Sequence, residues 1–177
     1  ERLGLQHSIT SDMSPKIGYF TVAPRVRLDS KWYNEQIEQF VVTSSTGSDS
    51  IVTQDKNQLS AVNTFDAGLN ASTKFYGMFN INSLGINAIR HTVSPSISYN
   101  FRPDFSEEGW GYYGQYTKSD GSVVKYNKYQ REVYGGADAG EQQNINFSVG
   151  NNFELKTLNA ANKPPTSWSL SLQVSVK

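Results

Sequence analysis

Hydrophobic and polar residues alternate along most of this chain with a period of two. In residues 86–105, INAIRHTVSPSISYNFRPDF, one face carries Ile89, His91, Val93, Pro95, Ile97, Tyr99 and Phe101. The other carries Ala88, Arg90, Thr92, Ser94, Ser96, Ser98, Asn100 and Arg102. Successive side chains of a β-strand point to opposite sides, so this pattern predicts a strand. Residues 2–10 repeat it with Leu3, Leu5, His7 and Ile9, and residues 17–28 with Phe20, Val22, Pro24, Val26 and Leu28 against Tyr19, Thr21, Ala23, Arg25 and Arg27. Residues 144–157 set Ile145, Phe147, Val149, Phe153 and Leu155 against Asn144, Asn146, Ser148, Asn152, Glu154 and Lys156. Residues 168–177 close with Trp168, Leu170, Leu172, Val174 and Val176 on one face.

The longest alternation runs over residues 59–79. Leu59, Ala61, Phe65, Ala67, Leu69, Ala71, Phe75 and Phe79 share a face, opposite Ser60, Thr64, Asp66, Asn70, Ser72, Lys74 and Tyr76, with Val62 interrupting the polar side. Soluble strands run about five or six residues, whereas tilted barrel strands need about nine to eleven to cross the hydrocarbon. The connections support the barrel, because they alternate short and long. Residues 12–16 (DMSPK), 80–85 and 158–167 are short turns; residues 30–56 and 103–142 are long and polar. Outer-membrane barrels have short turns on the periplasmic side and long loops outside. Within the long segments, residues 37–43 and 51–54 are expected to pair across the tip TSSTGSDS, and KSDGS (Lys118 to Ser122) to form a hairpin tip on Asp-Gly. Tyr19, Phe20, Trp32, Tyr33, Phe75, Tyr76, Phe79, Tyr99, Phe101 and Trp110 collect near strand ends, at the expected aromatic girdles.

Composition narrows the chemistry. Lysine plus arginine number 16 and aspartate plus glutamate 16, so there is no basic excess of the kind a nucleic-acid partner requires. Cysteine is absent, which removes disulfides, thiolate metal sites and cysteine nucleophiles. No run of apolar residues is long enough for a transmembrane helix, and no signal peptide opens the chain, which reads as part of a larger protein or a form whose leader has been removed. His7 and His91, the only histidines, lie on apolar faces without a carboxylate spacing that makes a metal pair, and no nucleophile–base pair accompanies them. They read as interfacial or strand-end residues. Asp104, Glu107, Glu108, Asp120, Asp138 and Glu141 of the long segment are candidates for calcium, with a solvated loop as the plainer reading. Pro24 and Pro95 lie inside strands, where each removes a ladder donor and marks a weak point.

The segment IRHTVSPSISYNFRPDF resembles the barrel of the lipopolysaccharide-assembly outer-membrane protein family, also called organic solvent tolerance proteins. The matching positions are Arg90, His91, Pro95, Tyr99, Pro103, Asp104 and Phe105, followed by WGYY at Trp110 to Tyr113. PKIGYFTVAPRV (Pro15 to Val26), KWY (Lys31 to Tyr33) and FYGMFNINSLGINAIRH (Phe75 to His91) are similar in the same order, so the resemblance covers roughly Leu5 to Leu158. The last residues match poorly, and the family's N-terminal jellyroll domain has no counterpart here. The resemblance implies an all-β fold, with residues 1–177 an internal part of the wall of an antiparallel transmembrane β-barrel. That part amounts to about six to eight strands of a larger barrel, since single-chain barrels begin at eight. It implies a place in the bacterial outer membrane, no enzymatic activity and no cofactor. The implied partners are lipopolysaccharide, outer-membrane lipid, a plug lipoprotein and the periplasmic bridge proteins of the lipopolysaccharide transport machinery. A porin, a receptor-type importer, and a soluble surface β-domain that binds glycans are the alternatives. Ala67, Leu69, Phe75, Val93, Ile97, Phe147 and Val149 are expected on the lipid side. Arg25, Arg27, Lys74 and Arg90 are expected to point inward as a discontinuous basic track for an anionic glycolipid, with ordinary ion pairs to Asp29, Asp66 and Glu154 as the competing role.

Overall fold

The computed structural model describes residues 1–44, 47–83, 86–157 and 166–176, and their side chains except at 82, 83, 157 and 166–176. The strands are β1 (Gly4–Asp12), β2 (Lys16–Ile17), β3 (Phe20–Thr43), β4 (Asp49–Ser72), β5 (Phe75–Ser83), β6 (Ile86–Arg102), β7 (Tyr113–Thr117), β8 (Val123–Asn127), β9 (Gln142–Thr157) and β10 (Thr166–Val176). Eight form one sheet in the order β1-β3-β4-β6-β9-β10, with β2 on β3 and β5 on β6; β7 and β8 form a separate hairpin. The registered pairs β2–β3, β4–β6, β5–β6, β7–β8 and β9–β10 are antiparallel. The chain divides into two compact units. The first holds Glu1–Ser11, Val26–Asp66 and Arg102–Gln142; the second holds Asp12–Arg25, Ala67–Phe101 and Gln143–Lys177.

Boundaries differ from the sequence reading: β5 runs through Asn80 to Ser83, into the turn expected at 80–85, and β10 starts at Thr166, inside the turn expected at 158–167. Residues 30–56 are not a polar loop: β3 and β4, each 24 residues, continue through them to the tip between Thr43 and Asp49. The reversal expected at residues 12–16 falls instead after Ile17, where Ile17 pairs with Phe20 around Gly18, whose φ of +62° suits glycine. The alternation over 59–79 belongs to two strands, because the ladder breaks after Ser72. The expected tip at 118–122 is present: β7 and β8 flank it, the Lys118 N–H donates to the Ser122 carbonyl and Gly121 has φ +82°. Of the expected turns, residues 84–85 and 158–165 lie outside the described residues, as do residues 45–46 of the β3–β4 tip and the facing of Trp168, Leu170, Leu172, Val174 and Val176.

Proline explains the breaks. Between β1 and β2, the Met13 N–H donates to the Pro24 carbonyl (3.3 Å) and the Val22 N–H to the Pro15 carbonyl (2.9 Å). At the β4–β5 junction the Thr73 N–H donates to the Pro95 carbonyl (3.2 Å). Each pair has two possible rungs, and proline, lacking an N–H, keeps only the one in which its carbonyl accepts. Pro24 and Pro95 are thus the weak points their positions predict, and Pro15 adds a third. The register nevertheless carries across the Pro95 break, from Ser72 opposite Ser96 to Phe75 opposite Val93.

The first unit has the buried core. Tyr33, Val62, Phe105, Tyr112, Tyr129 and Ala137 cluster there, and Phe105 and Val62 are fully enclosed. Residues 103–142 supply most of it. Phe105 meets Phe65 edge-on at 5.9 Å and Trp110 at 5.1 Å, and Tyr33 stacks on Tyr129 at 5.6 Å. Tyr33 is therefore a core residue, not the girdle residue its position near a strand end suggested.

Candidate functional site on the polar face

In the second unit, cross-strand partners sort by chemistry. Ala67 faces Phe101, Leu69 faces Tyr99, Ala71 faces Ile97 and Phe75 faces Val93. On the opposite side Asn70 faces Ser98, Ser72 faces Ser96 and Tyr76 faces Thr92. Directly opposed residues share a face, so the register builds one apolar and one polar surface from the alternation. Of the residues expected on the lipid side, Leu69, Phe75, Ile97 and Phe147 are exposed by 47%, 56%, 50% and 44%. Ala67, Val93 and Val149 are half-buried. None is enclosed by a second sheet. His91 on this face is not bare: its Nε2 lies 3.0 Å from Asn151 Oδ1, and its ring stacks on Phe153 at 4.1 Å. That satisfies one ring nitrogen where lipid offers no partner.

The polar face carries the cations. Arg90 forms an ion pair with Glu154, which also accepts from the Asn152 side chain at 3.2 Å. Arg25 lies 3.5 Å from Asp12, with both side chains more than half exposed. Arg27 belongs to the first unit and lies 2.8 Å from Asp29. Lys74 differs: no ion pair or hydrogen bond engages its ammonium among the described residues. It lines a cavity of about 620 Å³ together with Lys16, Tyr19, Thr21, Ser72 and Ser96, and no carboxylate lines that cavity. The geometry brings Lys74 to Lys16, leaves Arg25 with its own carboxylate at a separate cavity of about 490 Å³, and engages Arg90 with Glu154. Lys16 escaped the sequence reading because it sat in an expected turn; in the structure it pairs with Thr21 beside the reversal.

The carboxylates of the long segment have protein partners. Asp104 accepts from the N–H groups of Ser106 and Gly140, both at 2.8 Å, and hydrogen bonding from the Ser106 side chain, then from these two N–H groups, holds its carboxyl below the usual range. Asp120 accepts from Ser122, with the same effect. Asp138 pairs with Arg102 at 2.6 Å. Glu132 is the reverse case. Its side chain is 1% exposed, neither oxygen accepts a hydrogen bond, and Arg2 approaches only to 3.6 Å. Burial raises its pKa, Arg2 opposes the shift, and Glu35 and Asp55 add to it. The 3.6 Å contact counts as an ion pair by distance, but without a hydrogen bond it does not outweigh the desolvation.

A long antiparallel sheet, apolar and exposed on one face, polar and cationic on the other, defines the class of β-barrel wall proteins. Within that class the chain belongs to the LptD protein family, whose model matches residues 1–174. The family is one of lipopolysaccharide assembly in the outer membrane. No curated protein and no solved structure matches the chain.

Proposed function

We propose that this chain forms part of the wall of the translocon that inserts lipopolysaccharide into the outer leaflet, and that its polar face borders the path of the lipid. The family match over residues 1–174 carries this reading. The cation arrangement supports it: Lys74 and Lys16 border a cavity with hydroxyls and no carboxylate, which suits a phosphate. Lys74 is the strongest candidate contact, and Arg25, Arg27 and Arg90 serve through pairs that an anionic glycolipid must share or displace. Lipopolysaccharide, outer-membrane lipid, a plug lipoprotein and the periplasmic bridge proteins are the proposed partners, in the bacterial outer membrane.

The test is the double variant Lys74→Gln, Arg90→Gln. Exposed ion pairs contribute about 0–1 kcal/mol, so the variant is expected to assemble normally. Delivery of lipopolysaccharide is expected to fall, seen as sensitivity to large or hydrophobic antibiotics and as weaker photo-crosslinking from the polar face. Normal assembly with unchanged crosslinking rejects the role of these cations.

A further inference from the structure

Strand β5 has a neighbour on one side only. β4 gives way to β5 at Thr73–Lys74, and both pair with β6 in one register. β3 flanks β4 but starts at Phe20, because the chain reverses at Gly18. Among the described strands, none occupies the far side of β5. The Thr73 hydroxyl ties the reversal to the start of this edge by donating to the Tyr19 carbonyl at 2.7 Å.

The alternation of antiparallel rungs identifies the main-chain groups left over. The Thr73 N–H donates to Pro95, so these two are a hydrogen-bonded pair. The register then holds from Phe75 to Asn80 and shifts only between Asn80 and Ser83. Hence Phe75, Gly77 and Phe79 direct their N–H and C=O groups at β6, and Lys74, Tyr76, Met78 and Asn80 direct theirs to the open side. Water solvates such groups; hydrocarbon leaves each at a cost of several kcal/mol. Protected edges carry proline, charge or a bulge along their length. Here a lysine begins the edge and the register shift ends it, with FYGMF between them. Phe75, Tyr76, Met78 and Phe79 are 56%, 70%, 70% and 60% exposed, so both faces of the edge offer side chains to flank an added strand.

We propose that the open edge of β5 is a strand-addition site for an extended segment of a partner polypeptide, with an acidic residue of that segment meeting Lys74 and Lys16. The main-chain ladder supplies affinity, as in other cases of strand addition. The cavity lined by two lysines and no carboxylate supplies the charge preference. Further strands of a closed wall join at β1 and β10, the two ends of the sheet order, whereas β5 stands inside that order. This separates the occupant of the β5 edge from strands added at either end of that order. The inference does not depend on the lipopolysaccharide reading.

The test uses the full protein in nanodiscs and a fluorescent nine-residue peptide that alternates valine and threonine and carries one terminal glutamate. Saturable binding is expected, with exchange of the Tyr76 and Met78 amides slowed at least tenfold. N-methylation of the alternate residues that face β5 is expected to abolish binding, and methylation of the other set to leave it intact. Lys74→Glu is expected to weaken binding about tenfold and to strengthen binding of the lysine-ended peptide. Met78→Pro removes an outward N–H while sparing every β5–β6 rung, so binding is expected to be lost with the β6 amides still protected. Three outcomes overturn the proposal: equal binding by both methylated peptides; slow Tyr76 and Met78 exchange without peptide, including slowing that grows with protein concentration; and peptide binding by Met78→Pro at the affinity of the parent protein.

Discussion

Two strand edges in this molecule have different fates. In the first unit, β4 continues beyond the end of β6, and Asn63 there loses a strand partner. The Tyr112 hydroxyl takes its place, accepting from the Asn63 N–H at 2.9 Å and donating to the Asn63 carbonyl at 2.8 Å. On β3, beyond Asn34, the Ile37 N–H reaches the Lys128 carbonyl at 2.8 Å and the Gln39 N–H reaches the Tyr126 hydroxyl at 3.0 Å. In the second unit, β5 has no such cover among the described residues. Residues 103–142 bring aromatic rings along with their hydroxyls, so covering an edge also builds a core. The Gly18 reversal of the second unit is too short to do either. A long loop can finish a strand from within the same chain; a short one leaves the edge to lipid, water or another polypeptide.

The largest expected effect is on the covered unit. Phe105→Ala empties the centre of the aromatic cluster and is expected to cost about 3–5 kcal/mol. Amide exchange should rise over residues 103–142 and at Ile37 and Gln39, while β6 and β9 stay protected. Loss of protection in both units together would mean that they share one core. Next is Leu69→Arg on the apolar face of the second unit, expected to cost about 2–4 kcal/mol in a bilayer near its midplane. Val42→Arg, at a comparably exposed apolar position of the first unit, is expected to change stability by about 0.5 kcal/mol or less. Equal costs in reversible unfolding from vesicles would erase the distinction between a lipid-facing and a water-facing unit.

Tyr112→Phe keeps the ring and removes the hydroxyl that serves Asn63. A loss of about 1–3 kcal/mol is expected, with exchange at Asn63 faster than in the parent protein. The smallest effect is expected from Glu132→Gln. Burial raises the folded-state pKa of Glu132 above its unfolded value, so its contribution to stability is complete below the unfolded pKa and declines as pH rises through the folded one. The variant is expected to match the parent in melting temperature at acidic pH and to exceed it increasingly toward neutral pH. A difference that shrinks on raising the pH would show that the Arg2 contact, not burial, governs this carboxylate.

The strands and their faces were legible because a period-two pattern is a local property, printed on consecutive residues. The apolar set Leu69, Phe75, Ile97 and Phe147 could be assigned without knowing which strand pairs with which. The proline positions were equally local, since the missing N–H belongs to the residue itself. Val62 was legible in a weaker sense: an apolar residue on a polar face is the mark of something laid over it, and the structure encloses it completely. The length of β3 and β4 was not legible. Residues 30–43 and 49–56 are polar yet extended, because β3 and β4 pair with each other and residues 103–142 bond to β3 at Ile37 and Gln39. Ion pairs of the cations with Asp29 and Glu154 were offered as the competing role, but the pairing of Arg25 with Asp12 and the meeting of Lys74 with Lys16 were hidden, because they depend on register, and register is a relation between distant segments. The open edge of β5 is the clearest case. Sequence determined that residues 75–79 belong to a strand; tertiary structure alone decided that this strand runs on to Ser83, that the neighbouring hairpin turns back at Gly18, and that the strand is left half paired. A strand needs only its own alternation to be recognised, whereas an edge exists only through the partner that stops short.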